Sequence, residues 1–159
     1  MAIHTLQRIQ ILSATVEECW RFFSNPQNLC RITPPALDFV IKSNLPAEIH
    51  PGLMIEYRVR PLWGIAVNWL TEITHVQKPF YFVDEQRVGP YAVWHHEHTF
   101  RDLGEGRVEI GDRVHYVLPF GPLGDLLHPF LVKKQLEQIF DYRTRVLREL
   151  FPFPIQPAS

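Results

Sequence analysis

The chain has 159 residues, 46% hydrophobic and 13% aromatic, which suits one domain in the common range of about 100–200 residues without disulfide staples. Its 16 basic and 17 acidic residues leave a formal net charge of −1, which argues against a dedicated nucleic-acid binder, whose footprint is strongly basic. No apolar run reaches the roughly 18 residues of a membrane span, and MAIHTLQRIQ lacks the charged-then-apolar layout of a signal peptide. The expected setting is cytoplasmic, without stable membrane insertion.

Residues 3–12 read as a first strand, with Ile3, Leu6, Ile9 and Ile11 apolar. Ser13 fits a helix N-cap, with Val16, Glu17 and Glu18 in the first turn. From Ala14 to Phe23, the residues Val16, Cys19, Trp20 and Phe23 recur at helical spacing. Ser24, Asn25 and Pro26 break that helix. A short second helix over Pro26 to Cys30 stops at Thr33-Pro34-Pro35. Residues 39–41 read as strand, and Asn44 to Gly52 as a proline-bearing loop. Cys19 and Cys30 form no C-x-x-C pair, and Cys19 among aromatics reads as a small buried residue.

From Leu53 the period changes to two. Strands are expected over Met54–Arg60, Ile65–Val76, Phe80–Arg87, Tyr91–Leu103 and Arg107–Leu118, with turns at Lys78-Pro79, Gly89-Pro90 and Gly104–Gly106. Trp69, Thr71 and Ile73 share one side of theirs. Consecutive hairpins imply an antiparallel sheet of six to seven strands. After Pro119-Phe120-Gly121-Pro122, helical spacing runs from about Leu123 to Leu150. Leu127, Phe130, Leu131, Leu136, Ile139, Phe140, Val146 and Leu147 line one side of a helix about 40 Å long at roughly 1.5 Å per residue. Lys133, Lys134, Arg143, Arg145 and Arg148 read as its solvated face; Arg143, three residues past Phe140, is the one placed to turn inward instead. Residues 1–150 form the expected domain, and 151–159 a frayed proline-rich tail.

Alternation sorts the last hairpin into faces. Trp94, His96, His98 and Phe100 oppose the solvated set Val93, His95, Glu97, Thr99 and Arg101. On the returning strand, Val108, Ile110, Asp112, Val114 and Tyr116 face inward. A three-residue Gly104–Gly106 loop sets His98 opposite Asp112 and His96 opposite Val114, whereas a shift of two sets His96 opposite Asp112. A turn near Gly89-Pro90 brings Asp84 to His96 and Gln86 to Trp94. Asp84, Gln86, His96, His98 and Asp112 therefore gather on an apolar inner face. Burying such groups costs several kcal/mol unless they are paired.

Three readings of the cluster compete: a self-satisfied network that sets strand register, a ligand pocket of mixed polarity, and acid–base or metal chemistry. His-x-His on a strand places both imidazoles on one side, and Asp84 or Asp112 could be a third metal ligand. The surrounding aromatics and the equally good Asp–His pairing weigh against a metal, so no metal or cofactor is expected. Gly121-Pro-Leu-Gly124 lacks the Lys-Ser/Thr ending of a phosphate loop. His4, His50, His75, His115 and His128 show no usable spacing.

The order of strand, two short helices, strand run and long C-terminal helix resembles the START-like, SRPBCC helix-grip superfamily. So do Phe82-Val-Asp84-Glu-Gln86, the run from Gly89-Pro-Tyr91 to Phe100, Asp112 to Gly124, and Ile139-Phe-Asp-Tyr-Arg143, which are similar to small bacterial members near the polyketide cyclase/dehydrase group. The resemblance implies an α+β fold in which a curved antiparallel sheet wraps a long C-terminal helix. A hydrophobic or amphipathic small molecule would bind between sheet and helix. Trp69, Phe82, Trp94, Phe100 and Tyr116 would form the apolar wall, and Asp84, Gln86, His96, His98 and Asp112 would orient a polar end. The alternatives are a cyclase/dehydratase-type enzyme, in which His96 or His98 moves a proton and a neighbouring Asp (Asp84 or Asp112) fixes its tautomer, and an interaction domain with a filled pocket. Oligomeric state is not legible.

Overall fold

The computed structural model describes residues 2–60, 64–122, 126 and 131–153. Strand β1 (His4–Ser13) and helix α1 (Val16–Phe23) come first, followed by 3₁₀ segments at Pro26–Ile32 and Pro35–Leu37. Then come β2 (Val40–Ile41), β3 (Met54–Val59), β4 (Val67–Gln77), β5 (Tyr81–Val88), β6 (Val93–Gly104), β7 (Arg107–Val117) and α2 (Val132–Leu150). The strands make one seven-stranded sheet in the order β1-β7-β6-β5-β4-β3-β2, antiparallel throughout. Hairpin succession places β3 to β7 side by side, and β1 closes against the last of them.

Helix α1 starts two residues later than the Ser13 cap implied. Thr15 is the N-cap: its hydroxyl accepts from the Glu18 N–H at 3.2 Å, while the Glu18 carboxylate accepts from the Thr15 N–H at 2.7 Å. This reciprocal box satisfies two otherwise orphaned donors, so it outcompetes Ser13. Ser13 instead ends β1, opposite Arg107. The second short helix is a 3₁₀ segment capped by the Asn25 side chain.

The β6–β7 connection is tighter than expected. Gly104 pairs with Arg107, which leaves a two-residue loop of Glu105 and Gly106, both with positive φ, at 56° and 66°. That is the twist a two-residue hairpin needs, and glycine adopts it freely. The register then slips by one between Asp102 and Gly104. The bulge absorbs the residue the loop gave up, so Phe100 faces Ile110, His98 faces Asp112 and His96 faces Val114. Two further irregularities in β4, at Leu70/Thr71 and Ile73/His75, add local bend where β4 meets β5.

Helix α2 lays Leu136, Phe140, Arg143 and Leu147 into the interior, spaced as one helical stripe. Arg143 is thus not part of the solvated face, unlike exposed Lys133, Lys134, Arg145 and Arg148. The expected start of this helix at Leu123, with Leu127 and Phe130, lies outside the described residues, as do His128 and positions 154–159. Inside, Trp20 meets Phe82 and Phe100 edge-on at centroid distances of 6.0 Å. Cys19 is fully buried beside them, and burial pushes its thiol pKa up to about 12. Among the described residues, no helix is long and apolar enough to cross a membrane.

Candidate functional site

Three adjacent strands supply the polar cluster. Register sets Asp84 of β5 opposite His96 of β6, and His98 opposite Asp112 of β7. All four side chains project toward α2, which contributes Arg143. The shortest bonds run diagonally across the strands. His98 Nε2 lies 2.7 Å from Asp84 Oδ2, and His96 Nε2 lies 2.9 Å from Asp112 Oδ1. Longer contacts close the square: His96 Nδ1 to Asp84 Oδ2 at 3.4 Å, and His98 Nδ1 to Asp112 Oδ1 at 3.3 Å. Arg143 Nη2 reaches the same Asp112 oxygen at 3.1 Å. One carboxylate oxygen therefore stands within 3.3 Å of three nitrogens, and Arg143 Nη2 also lies 3.5 Å from His98 Nδ1.

His96, His98, Asp112 and Arg143 are each at most 7% exposed, so their mutual electrostatics act with little solvent screening. Burial by itself would raise both carboxyl pKa values. For Asp112, the Arg143 charge and both imidazoles outweigh it and hold the group well below the usual carboxylate range. For Asp84, the two imidazoles and Arg143 outweigh burial, and its pKa is also lowered. The imidazoles part company. Burial and the neighbouring His98 lower the pKa of His96, whereas the hydrogen bonds and charges of Asp112 and Asp84 overcome burial and raise that of His98. The rings stand 3.8 Å apart between centroids, too close for both to be charged at little cost.

Aromatic packing holds the rings in place. Phe82 stacks on His98 at 4.0 Å with an interplanar angle of 13°, and Phe140 meets His96 edge-on at 5.7 Å. Arg143 lies over Phe23 at 5.3 Å and Phe140 at 5.8 Å.

The cluster forms the polar end of a cavity of about 200 Å³ between the sheet, the 3₁₀ segments and α2. Of the residues expected at the site, Trp69, Phe82, Asp84, Trp94, His96 and His98 line it. Phe100, Asp112 and Tyr116 face the same interior but stand behind the wall. Phe100 is covered by Trp20 and Phe23, and Tyr116 by Trp94 and Tyr91. Asp112 supports the imidazoles from behind. Gln86 is spent elsewhere: its amide donates to Tyr91 O at 2.6 Å and accepts from Tyr91 N at 3.2 Å, so it staples the β5–β6 turn.

Several wall residues lie outside the set expected at the site. Tyr57 stacks on Trp69 at 5.8 Å and bonds Thr71 at 2.9 Å; both line the cavity. The alternation that marked Trp69 also marked Thr71, but Tyr57 needed the β3–β4 register that sets it opposite Trp69. Tyr91, Phe23 and Phe140 come from a turn and two helices, where period-two reasoning has no purchase. Trp69 Nε1 is buried in this wall without a hydrogen-bond partner among the described residues.

Among the described residues, Asp84, His96 and His98 are the group whose ligand atoms converge as a metal site requires, all within 4.8 Å of one another.

Comparison with family models finds no match, and comparison with curated proteins finds none either. Solved structures do match. A protein from Thermus thermophilus aligns with TM-score 0.70 at 16% identity, covering 92% of this chain and 95% of the other. A START superfamily protein from Mycobacterium smegmatis aligns with TM-score 0.67 at 10% identity, covering 93% and 97%. Norcoclaurine synthase from Thalictrum, a point mutant in complex with a transition-state analogue, aligns with TM-score 0.65 at 12% identity, covering 94% and 96%. At these identities the likeness establishes architecture, and by it this chain has the START-like, SRPBCC helix-grip fold.

Proposed function

We propose that this chain binds one hydrophobic or amphipathic small molecule between the sheet and α2. The observation that carries this reading is the cavity itself. Its wall is mainly aromatic and aliphatic, and its polar groups converge at one end on Asp84, His96 and His98. A cavity of about 200 Å³ suits a compact ligand, since roughly 150 Å³ of apolar space accommodates benzene. The Trp69 N–H, without an acceptor among the described residues, offers the ligand a donor away from the cluster. A buried donor without an acceptor costs about 1–3 kcal/mol, which a ligand oxygen would recover. The near-neutral charge gives a nucleic acid no basic footprint to bind.

Native mass spectrometry and organic extraction of the purified chain test this reading. A retained small molecule, or saturable binding of an environment-sensitive fluorophore that Trp69→Phe weakens, supports it. Absence of both overturns it in favour of a filled interior.

A second reading is favoured by the divergent imidazoles: two rings pushed in opposite directions 3.8 Å apart resemble an acid–base pair. Under it, His98 donates a proton, His96 accepts one, and Asp84 and Asp112 fix their orientation. His98→Gln separates the two readings. A binder keeps part of its affinity, whereas an enzyme loses turnover with its ligand still bound.

A further inference from the structure

We propose that Asp84, His96 and His98 bind a single divalent transition-metal ion at the polar end of the cavity, with Asp112 as the outer carboxylate that orients both imidazoles. The convergence comes first. Asp84 Oδ2 stands 2.7 Å from His98 Nε2 and 3.4 Å from His96 Nδ1. An ion with bonds of about 2.0–2.2 Å to nitrogen and oxygen holds its ligand atoms about 3.0–3.5 Å apart. The Asp84–His96 pair already has that spacing, the Asp84–His98 pair reaches it by opening a few tenths of an ångström, and all three ligand atoms lie within 4.8 Å of one another.

The back side of the cluster is the stronger argument. The nitrogen of each ring that does not face Asp84 faces Asp112 Oδ1, His96 Nε2 at 2.9 Å and His98 Nδ1 at 3.3 Å. Metal-bound histidines characteristically give their other N–H to a carboxylate, which sets the tautomer and the ring orientation. In the tautomer whose Nε2 proton points to Asp112, His96 presents a lone pair from Nδ1 toward Asp84 at 3.4 Å, a gap that a proton or a metal cation fills. Arg143, 3.1 Å from Asp112, balances that outer charge and leaves the Asp84 carboxylate for the ion. Finally, Asp84, His96 and His98 line the cavity and Asp112 does not, so the remaining coordination positions would open onto the ligand space. Two imidazoles and one carboxylate suit Zn²⁺, Fe²⁺, Co²⁺ or Ni²⁺ rather than Ca²⁺ or Mg²⁺.

This inference concerns the same cavity as the proposed function but does not rest on it, because the ion needs no organic ligand. The test uses the full chain without an affinity tag, stripped with a chelator and titrated with CoCl₂ at fixed neutral pH, followed by visible absorption. One Co²⁺ per chain, displaced by Zn²⁺, is expected. Asp84→Asn, His96→Gln and His98→Gln should each abolish the bands, Asp112→Asn should weaken binding about 10–100-fold, and His75→Gln and His95→Gln should change nothing. Histidine ¹⁵N spectra of the wild-type chain with Zn²⁺ need no variant: shifts at His96 Nδ1 and His98 Nε2 are expected. Failure of the wild-type chain to bind Co²⁺ saturably, or Zn²⁺ shifts confined to other histidines, overturns the proposal. Fluorophore binding without metal binding sinks the metal site alone; metal binding without fluorophore binding sinks the hydrophobic-ligand reading alone.

Discussion

His96 and Asp112 share a 2.9 Å contact although strand register pairs neither with the other: His96 sits opposite Val114, and Asp112 opposite His98. Diagonal neighbours two residues out of register are about 7–8 Å apart at the backbone, within reach of an imidazole and a carboxylate. The directly opposite pairs do other work. Phe82, opposite His98, stacks on its ring, and Asp84, opposite His96, reaches across to His98 instead. Each imidazole therefore touches both carboxylates, and the cluster behaves as one unit.

Removing one member should cost more than one contact suggests. Arg143→Met leaves Asp112 buried without its guanidinium, and a loss of about 3–5 kcal/mol is expected from urea denaturation. Asp112→Asn combined with Arg143→Met should recover part of that loss, because no uncompensated charge remains on either side. Strictly additive losses would show that the two residues are not coupled.

Phe82 supports His98 by stacking and also touches Trp20 and Phe100, at 6.0 and 6.1 Å between centroids. Phe82→Ala should destabilise the chain by about 3–5 kcal/mol in the same denaturation experiment. It should also broaden the His98 ring resonances. Unchanged resonances would mean that the hydrogen bonds alone hold the ring.

Gln86 should matter for the cavity without touching its contents. Gln86→Ala frees the Tyr91 backbone, with an expected cost of about 1–2 kcal/mol and faster amide exchange across residues 89–92. A side chain at Gly89 would collide with the Gln86 amide, so Gly89→Ala should accelerate exchange over the same residues. Hydrogen-exchange mass spectrometry reads both, and wild-type exchange rates in either variant would count against the staple.

Alkaline pH should weaken the fold before any backbone chemistry begins. Burial pushes the Cys19 thiol from 9.0 up to about 12, and pushes the Tyr116 hydroxyl from 10.0 up to about 12. Because both folded values lie above the unfolded ones, the folded state holds these protons more tightly. That contribution is complete below pH 9 and is lost as pH rises toward about 12. Besides the fall that the raised His98 contributes as pH rises from 6.5, the urea midpoint should drop further beyond about pH 9, and later in Cys19→Ala, where that further loss waits for the buried tyrosines Tyr57, Tyr91 and Tyr116. A midpoint unchanged up to about pH 11 would contradict this.

Much of the architecture was legible in the chain, for a physical reason. Side chains on a strand alternate with a period of two, so Trp94, His96, His98 and Phe100 had to share a face, and glycines at 104 and 106 marked the hairpin. The 98–112 register could be derived even though the loop is shorter than expected, because the bulge near Leu103 compensates for it. The Thr15 cap was missed because Ser13 is also a good capping residue; the deciding signal, Glu18 three residues after Thr15, lay in the sequence. Arg143 could have faced either way, since a cation on a helix is usually solvated. Only an acceptor on another element turns it inward, and that acceptor is Asp112, 31 residues earlier in the chain.

The sequence by itself determined which strand residues face the interior and that β3 to β7 pair in succession, because both follow from local periodicity and turn chemistry, whereas the pairing of β1 with β7 follows from neither. Which polar groups bond, which stand behind the wall, and that Gln86 serves the backbone were decided only by the tertiary structure. Those outcomes depend on diagonal reach across a twisted sheet and on where α2 sets Arg143 and Phe140, distances that no spacing along one chain encodes.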